Sequence, residues 1–141
     1  MWGNSTDHNR AFIAQKKCIR AIYGLQPDQS CRPLFKKHCL LPLPALYIYE
    51  TCMLVKKNEH LFVKADTIIV RNRRDPYRLV LSNIPRLTKY NKSCVTMCVR
   101  LYNKLPSDFK SLNVRSFKKK LYDWLSFNNF YSIKDFIEKK Y

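Results

Sequence analysis

From Pro44 to Lys57 the chain reads Ala45, Leu46, Tyr47, Ile48, Tyr49, Cys52, Met53, Leu54 and Val55 with a single carboxylate, Glu50, among them. On a helix this set leaves almost no polar face, and a helix that is apolar all round must be covered by other elements. It is predicted to be the central buried helix. Pro44 suits its first turn, where a missing N–H costs nothing, and Lys56 and Lys57 suit its negative C-terminal end. Glu50 reads as a partnered or edge carboxylate rather than a catalytic one.

Two later stretches carry the one-sided apolar stripe of a covering helix. In Val99-Arg100-Leu101-Tyr102-Asn103-Lys104-Leu105-Pro106, Leu101 and Leu105 stack one turn apart, flanked by Tyr102. Ser93 is a suitable cap for a helix from about Cys94 to Leu105, and Pro106 disfavours helical geometry at Leu105. Ser107 or Asp108 is positioned to cap a short following turn. Phe117, Leu121, Trp124 and Leu125 then form the stripe of a helix near Val114 to Ser126, with Lys118, Lys119 and Lys120 pointing away. Phe127-Asn128-Asn129 breaks the pattern. Ser132 caps a last short helix through Phe136 and Ile137, with Asp135 completing an imperfect capping box.

The N-terminal half follows the same logic. Ser5, Thr6 or Asp7 can cap a helix running to about Tyr23, where Gly24 supplies a left-handed C-cap. Phe12, Ile19, Ile22 and Tyr23 are its predicted apolar face; Arg10, Lys16, Lys17 and Arg20 lie on the remaining surface. A short helix after Ser30 or Cys31 has Pro33 in its first turn and is predicted to turn Leu34, Phe35 and His38 inward. Residues 59–92 are an irregular basic segment. Within it, Thr67 to Val70 and Tyr77 to Leu81 are β-rich in type, separated by the basic turn Arg71-Asn72-Arg73-Arg74-Asp75-Pro76. The fold expected is mainly α, a single small helical domain over 1–141 with about five to six helices and room for a short β-hairpin in the middle.

Charge is the strongest global feature. Lys and Arg number 27 against 10 acids, a formal net charge of +17 over 141 residues. A compact domain with that excess repels itself unless a polyanion neutralises it. A phosphate backbone does so with release of counterions, so RNA or DNA bound without sequence preference is the expected partner. Basic residues interleaved with Tyr77 and Tyr90 suit phosphate contact and base stacking.

Other classes are excluded. Glycine occurs only at Gly3 and Gly24, so no glycine-rich phosphate cradle or dinucleotide fingerprint exists. No stretch approaches the roughly 20 apolar residues of a membrane span, and no signal peptide is visible, so an intracellular chain in nucleus or cytoplasm is expected, without membrane contact. The six cysteines, Cys18, Cys31, Cys39, Cys52, Cys94 and Cys98, are then expected as reduced thiols. Cys94 and Cys98 are the one close pair, with no Cys or His after them to complete a zinc site. No metal and no cofactor are expected.

The ordered blocks resemble the C-terminal part of the reverse transcriptase polyprotein of non-LTR, jockey-like retrotransposons. They are Trp2-Gly3-Asn4-Ser5, Gln15 to Arg20 with Ile22 and Gly24, Cys31-Arg32-Pro33-Leu34-Phe35, and Leu40 to Glu50. Then follow Arg71-Asn72-Arg73, Leu101 to Pro106, Phe117 to Leu121, and Phe130 to Phe136. The resemblance covers nearly the whole chain in one order. It implies a region that follows the polymerase palm and thumb and helps hold template RNA or target DNA.

The chain departs from the family in extent. It contains no Asp-Asp pair, and Met1 stands directly before the Trp-Gly block, as if translation began inside the polyprotein. Polymerisation needs carboxylates converging on two metal ions, so no catalytic residue is expected. The expectation is a non-catalytic fragment of an RNA-directed DNA polymerase that binds phosphates through Arg10, Lys16, Lys17, Arg20, Arg71, Arg73, Arg74, Lys118, Lys119 and Lys120. The alternatives are a protein-interaction module, self-associating through apolar surface at Trp2, Phe12 and Trp124, or a non-functional retroelement relic.

Overall fold

The structure, a computed structural model, describes residues 7–64, 75–81 and 93–139. Seven α-helices lie among them: α1 (His8–Tyr23), α2 (Arg32–Lys37), α3 (Leu43–Lys57), α4 (Cys94–Lys104), α5 (Ser107–Lys110), α6 (Val114–Asn128) and α7 (Ile133–Glu138). A 3-10 turn (Glu59–Leu61) and the short strands β1 (Val63–Lys64) and β2 (Leu79–Val80) fall between α3 and α4. The protein is mainly helical, with one small antiparallel sheet among the described residues, in register Val63↔Val80 and Lys64↔Leu79. None of the helices is long and apolar enough to cross a membrane among the described residues.

Local chemistry sets the helix ends. Gly24 adopts φ 62, and its N–H returns to the Arg20 carbonyl, closing α1 with a left-handed cap. Asp7 holds the N-cap position of α1 without a side-chain cap bond. Ser93 caps α4 by accepting from the Thr96 N–H, and Leu105 leaves the helix with ψ 145 because Pro106 follows it. The short turn after it is α5, with Pro106 at its N-cap position in place of Ser107 or Asp108. α6 continues two residues past Ser126 and stops where Asn129 turns left-handed at φ 48. Ser132 and Asp135 form a complete capping box on α7.

The chain gathers into two compact units, one holding the residues up to Tyr49 and those from Tyr122 onward, the other running from Glu50 to Leu121. In the first unit, Phe12, Ile19, Cys31 and Phe35 are buried together, with Leu34, Leu43 and Tyr131 packed on them. The Tyr131 ring meets Phe12 edge-on at 5.1 Å and Phe35 at 5.8 Å. Trp124, Phe130 and Phe136 form a second aromatic group. The Gln15 side chain spans the segment before α3, donating to the Leu41 carbonyl at 3.0 Å and accepting from the Leu43 N–H at 2.9 Å. That pairing satisfies backbone groups on both sides of Pro42, which has no donor of its own.

The second unit is built on Cys52, Met53, Val55, Met97, Cys98, Leu101, Tyr102, Leu105, Phe109, Phe117 and Leu121, all buried. Leu101, Tyr102 and Leu105 are thus core residues, as their helical spacing predicts. Most of α3 is buried, while Glu50, Leu54 and Lys57 are exposed.

Three expectations from the sequence are corrected. Ile22 is 74% exposed and Tyr23 half-exposed, because the apolar face of α1 is carried by Phe12 and Ile19, and the last turn runs past the core. His38 does not face inward: it is exposed and stacks on Tyr23 at 4.7 Å, because α2 ends at Lys37 and His38 sits at its C-cap. Phe12 is buried and Trp124 partly buried, so neither supplies the free apolar surface expected for self-association. Trp2 lies outside the described residues. Of the two β-rich stretches, Tyr77 to Leu81 holds β2, while its partner is Val63–Lys64; Thr67 to Val70 lies outside the described residues.

Candidate nucleic-acid interface

In the first unit the cationic helix is α1, sixteen residues without a carboxylate. Its four basic residues differ in what they touch. Arg20 uses its Nε and Nη2 to hold the Gln29 carbonyl at 3.2 and 3.1 Å, fixing the loop after Gly24. Lys16 lies over the Phe12 ring, 4.8 Å from its centroid. Both are partly buried. Arg10 makes one exposed contact to Asp7 at 3.5 Å, a pair worth little in water. Lys17 is exposed. Arg10 and Lys17 share the face opposite Phe12 and Ile19, two turns apart, and are the cations of α1 left for a ligand.

In the second unit, the first turns of α6 carry Arg115, Lys118, Lys119 and Lys120, all exposed. Helical geometry separates them. Lys118 and Lys119 lie three and four residues from Arg115, on one face. Lys120 points to a different flank and reaches over the Phe109 ring at 4.8 Å. The exposed cationic row of α6 is therefore Arg115, Lys118 and Lys119, with no carboxylate bridge among the described residues. Sequence reasoning missed Arg115, although its spacing to Lys118 and Lys119 is the signal that identifies it. Arg71, Arg73 and Arg74 lie outside the described residues.

Among the described residues, one group of charges is buried rather than superficial. Lys110, 1% exposed, donates to Asp75 Oδ2 at 2.5 Å and to the Asn103 carbonyl at 3.2 Å. Lys56 donates to Glu59 Oε1 at 2.6 Å and to the Lys110 carbonyl at 2.7 Å. The Tyr102 hydroxyl donates to the same Glu59 oxygen at 3.0 Å. Burial raises the Glu59 pKa, but the Lys56 and Tyr102 hydrogen bonds and the Lys56 and Lys64 charges outweigh it and hold the carboxyl below its usual range. Burial, then the Glu59 carboxylate, pushes the Tyr102 phenol up. Every polar partner in this set is another member of the chain, so the arrangement ties α3, α4, α5 and the Asp75 turn together. No His, Cys, Asp or Glu cluster suited to a metal ion occurs among the described residues.

The Leu101 to Pro106 block is part of the same framework. Leu101 and Leu105 are in the core, Tyr102 holds Glu59, Asn103 holds β2 and Pro106 starts α5. These contacts make the block part of the internal framework of its unit. Comparison with known protein families, curated proteins and solved structures gives no match.

Proposed function

We propose that this chain is the region following the palm and thumb of a non-LTR, jockey-like retrotransposon reverse transcriptase, and that it grips the phosphate backbone of template RNA or target DNA without polymerising it. The observation that carries the reading is the row Arg115, Lys118 and Lys119, exposed on one face of α6 without a carboxylate partner among the described residues. Arg10 and Lys17 on α1 add a second set. The net charge of +17 gives both the long-range attraction to a polyanion. On this reading the chain works inside the cell, in nucleus or cytoplasm, as a binding module with no catalytic residue of its own.

Fluorescence anisotropy with labelled RNA and duplex DNA across a salt series tests it. If about six phosphates are engaged, log affinity for duplex DNA falls with log salt at a slope near −5. Replacing Arg115, Lys118 and Lys119 by Glu flattens that slope by about three, whereas Lys120→Glu changes it less. Salt-independent binding, or none to either nucleic acid, rejects the reading.

A second reading, self-association, rests on Ile22, exposed beside Ala11, Ala14, Cys18 and Ala21 on α1. Sedimentation velocity decides it: an Ile22→Glu substitution dissolves any assembly formed through that face.

A further inference from the structure

The first unit contains a second kind of surface, distinct from the cationic rows. Phe127, near the end of α6, leaves 68% of its surface exposed. It lines a cleft of about 330 Å³ together with Lys36, Cys39, Asp123 and Ser126. The Lys36 ammonium stands 4.6 Å from the ring centroid. The wall opposite is held in shape: Cys39 takes a left-handed turn at φ 50, and its carbonyl accepts from the Tyr122 hydroxyl at 3.0 Å. Ser126 donates its proton to the Asp123 carbonyl at 2.9 Å, while the exposed Asp123 carboxylate makes no ion pair among the described residues. Lys37 lies beside Lys36 on α2, a helix with no acid in it.

We propose that this cleft takes one unpaired base of a single-stranded nucleic acid. The base stacks on the face of Phe127 that Lys36 leaves open, and the neighbouring phosphate lies against the exposed Lys37. An exposed aromatic ring bordered by cations is the arrangement by which single strands are held, because every base offers a π-face and every linkage a charge. Duplex DNA cannot use it, since its bases are already stacked on each other. Asp123 adds selectivity. A carboxylate only accepts hydrogen bonds, so it pairs with the exocyclic amino group of a base such as cytosine, whereas thymine and uracil offer a single N–H between two carbonyl oxygens that repel it. This inference rests on the proposed nucleic-acid function and specifies the form of the ligand at a surface which that function does not use.

Anisotropy titrations of the full chain with short oligo(dC), oligo(dT) and a mixed-sequence duplex test it. Oligo(dC) is expected to bind several-fold more tightly than oligo(dT). Phe127→Ala is expected to lower affinity for oligo(dC) about tenfold and to leave duplex affinity unchanged; Phe127→Leu, which keeps the bulk, is expected to lose nearly as much. Asp123→Asn is expected to erase the preference for cytosine. Circular dichroism checks that each variant keeps its helices. Equal losses on duplex and single strand overturn the proposal, as does a Phe127→Ala variant that binds oligo(dC) like the parent. A Phe127→Ala variant that shifts only the sedimentation coefficient makes the cleft a protein contact and overturns it too. Absence of all nucleic-acid binding removes the broader reading along with it, whereas duplex binding with single-strand binding indifferent to Phe127 removes this inference alone.

Discussion

The Asn103 side chain pairs with the Leu79 backbone on both sides: its Nδ2 donates to the Leu79 carbonyl at 2.8 Å, and its Oδ1 accepts from the Leu79 N–H at 2.8 Å. The carboxamide thus behaves as a one-residue strand. Leu79 stands opposite Lys64 in the two-stranded pairing, and Asn103 covers the backbone groups of Leu79. A two-stranded sheet is marginal by itself, and here α4 supplies what a third strand would.

Asn103→Ala removes both bonds and leaves a donor and an acceptor of β2 unpaired. Each such group costs about 1–3 kcal/mol when water cannot reach it. The pair is part-buried, so a loss of about 2 kcal/mol is expected, read as a lower urea midpoint at unchanged slope. Asn103→Asp, which keeps the acceptor and loses the donor, is expected to fall between Ala and the parent.

The Lys110–Asp75 pair is predicted to respond asymmetrically to the loss of either member. The Lys110 side chain is fully buried, whereas that of Asp75 is 25% exposed. Asp75→Ala leaves a buried ammonium with no counter-charge and only the Asn103 carbonyl as its hydrogen-bond partner, a loss of about 3 kcal/mol by the behaviour of broken buried pairs. Lys110→Met fills the same space without charge and leaves a carboxylate that water still reaches. Asp75→Ala is therefore expected to unfold at lower urea than Lys110→Met. The reverse order would show that the carboxylate is the more poorly solvated partner.

Glu59 makes stability depend on acid. Its carboxyl is held below the usual range in the folded chain, so between the folded and unfolded values the unfolded chain binds more protons and stability rises with pH. The contribution is full above the unfolded value of about 4.3 and disappears as pH falls through the folded one. Glu59→Gln is expected to flatten the acid limb of a stability–pH profile below about pH 4.5. An unchanged acid limb would assign acid sensitivity to other carboxylates.

Thiol reactivity reports the packing directly. Cys18 and Cys39 are exposed, Cys94 is intermediate, and Cys31, Cys52 and Cys98 are buried. Burial, then the neighbouring Cys94, pushes the Cys98 thiol up to about 12; burial raises that of Cys52 as well. A thiol reagent at neutral pH is expected to modify Cys18 and Cys39 promptly, Cys94 slowly, and the other three only on unfolding. Mass spectrometry of partly modified chain checks the order.

Ser132→Ala tests the last helix. It removes the side chain that accepts from the Asp135 N–H at 3.0 Å, and with it half of the capping box. A loss of about 1 kcal/mol is expected, visible in faster amide exchange within α7.

The cationic surface was only partly legible. Lys118 and Lys119 are exposed as a row of like charges on one helix suggests, yet Lys120 and Arg20 follow the same composition and end against Phe109 and Gln29. Whether a basic side chain is free for a phosphate depends on what lies beside it, and a linear string contains no neighbours beyond the helix turn. Lys110 is the extreme instance. In Ser107-Asp108-Phe109-Lys110 it reads as a solvated residue, but it is buried because Asp75, 35 residues earlier, reaches it.

What the sequence determined by itself is local. Gly24, Ser93, Pro106 and Ser132 mark helix boundaries because each acts on backbone groups within one turn, and the unbroken apolar run of α3 and the apolar stripes of α4 and α6 select the core because helical spacing is a property of order along the chain. Long-range packing settles which polar groups meet: Asn103 with Leu79, Lys110 with Asp75, and Tyr102 with Glu59. Those pairings depend on through-space distance after burial, where desolvation makes each partner's position decisive.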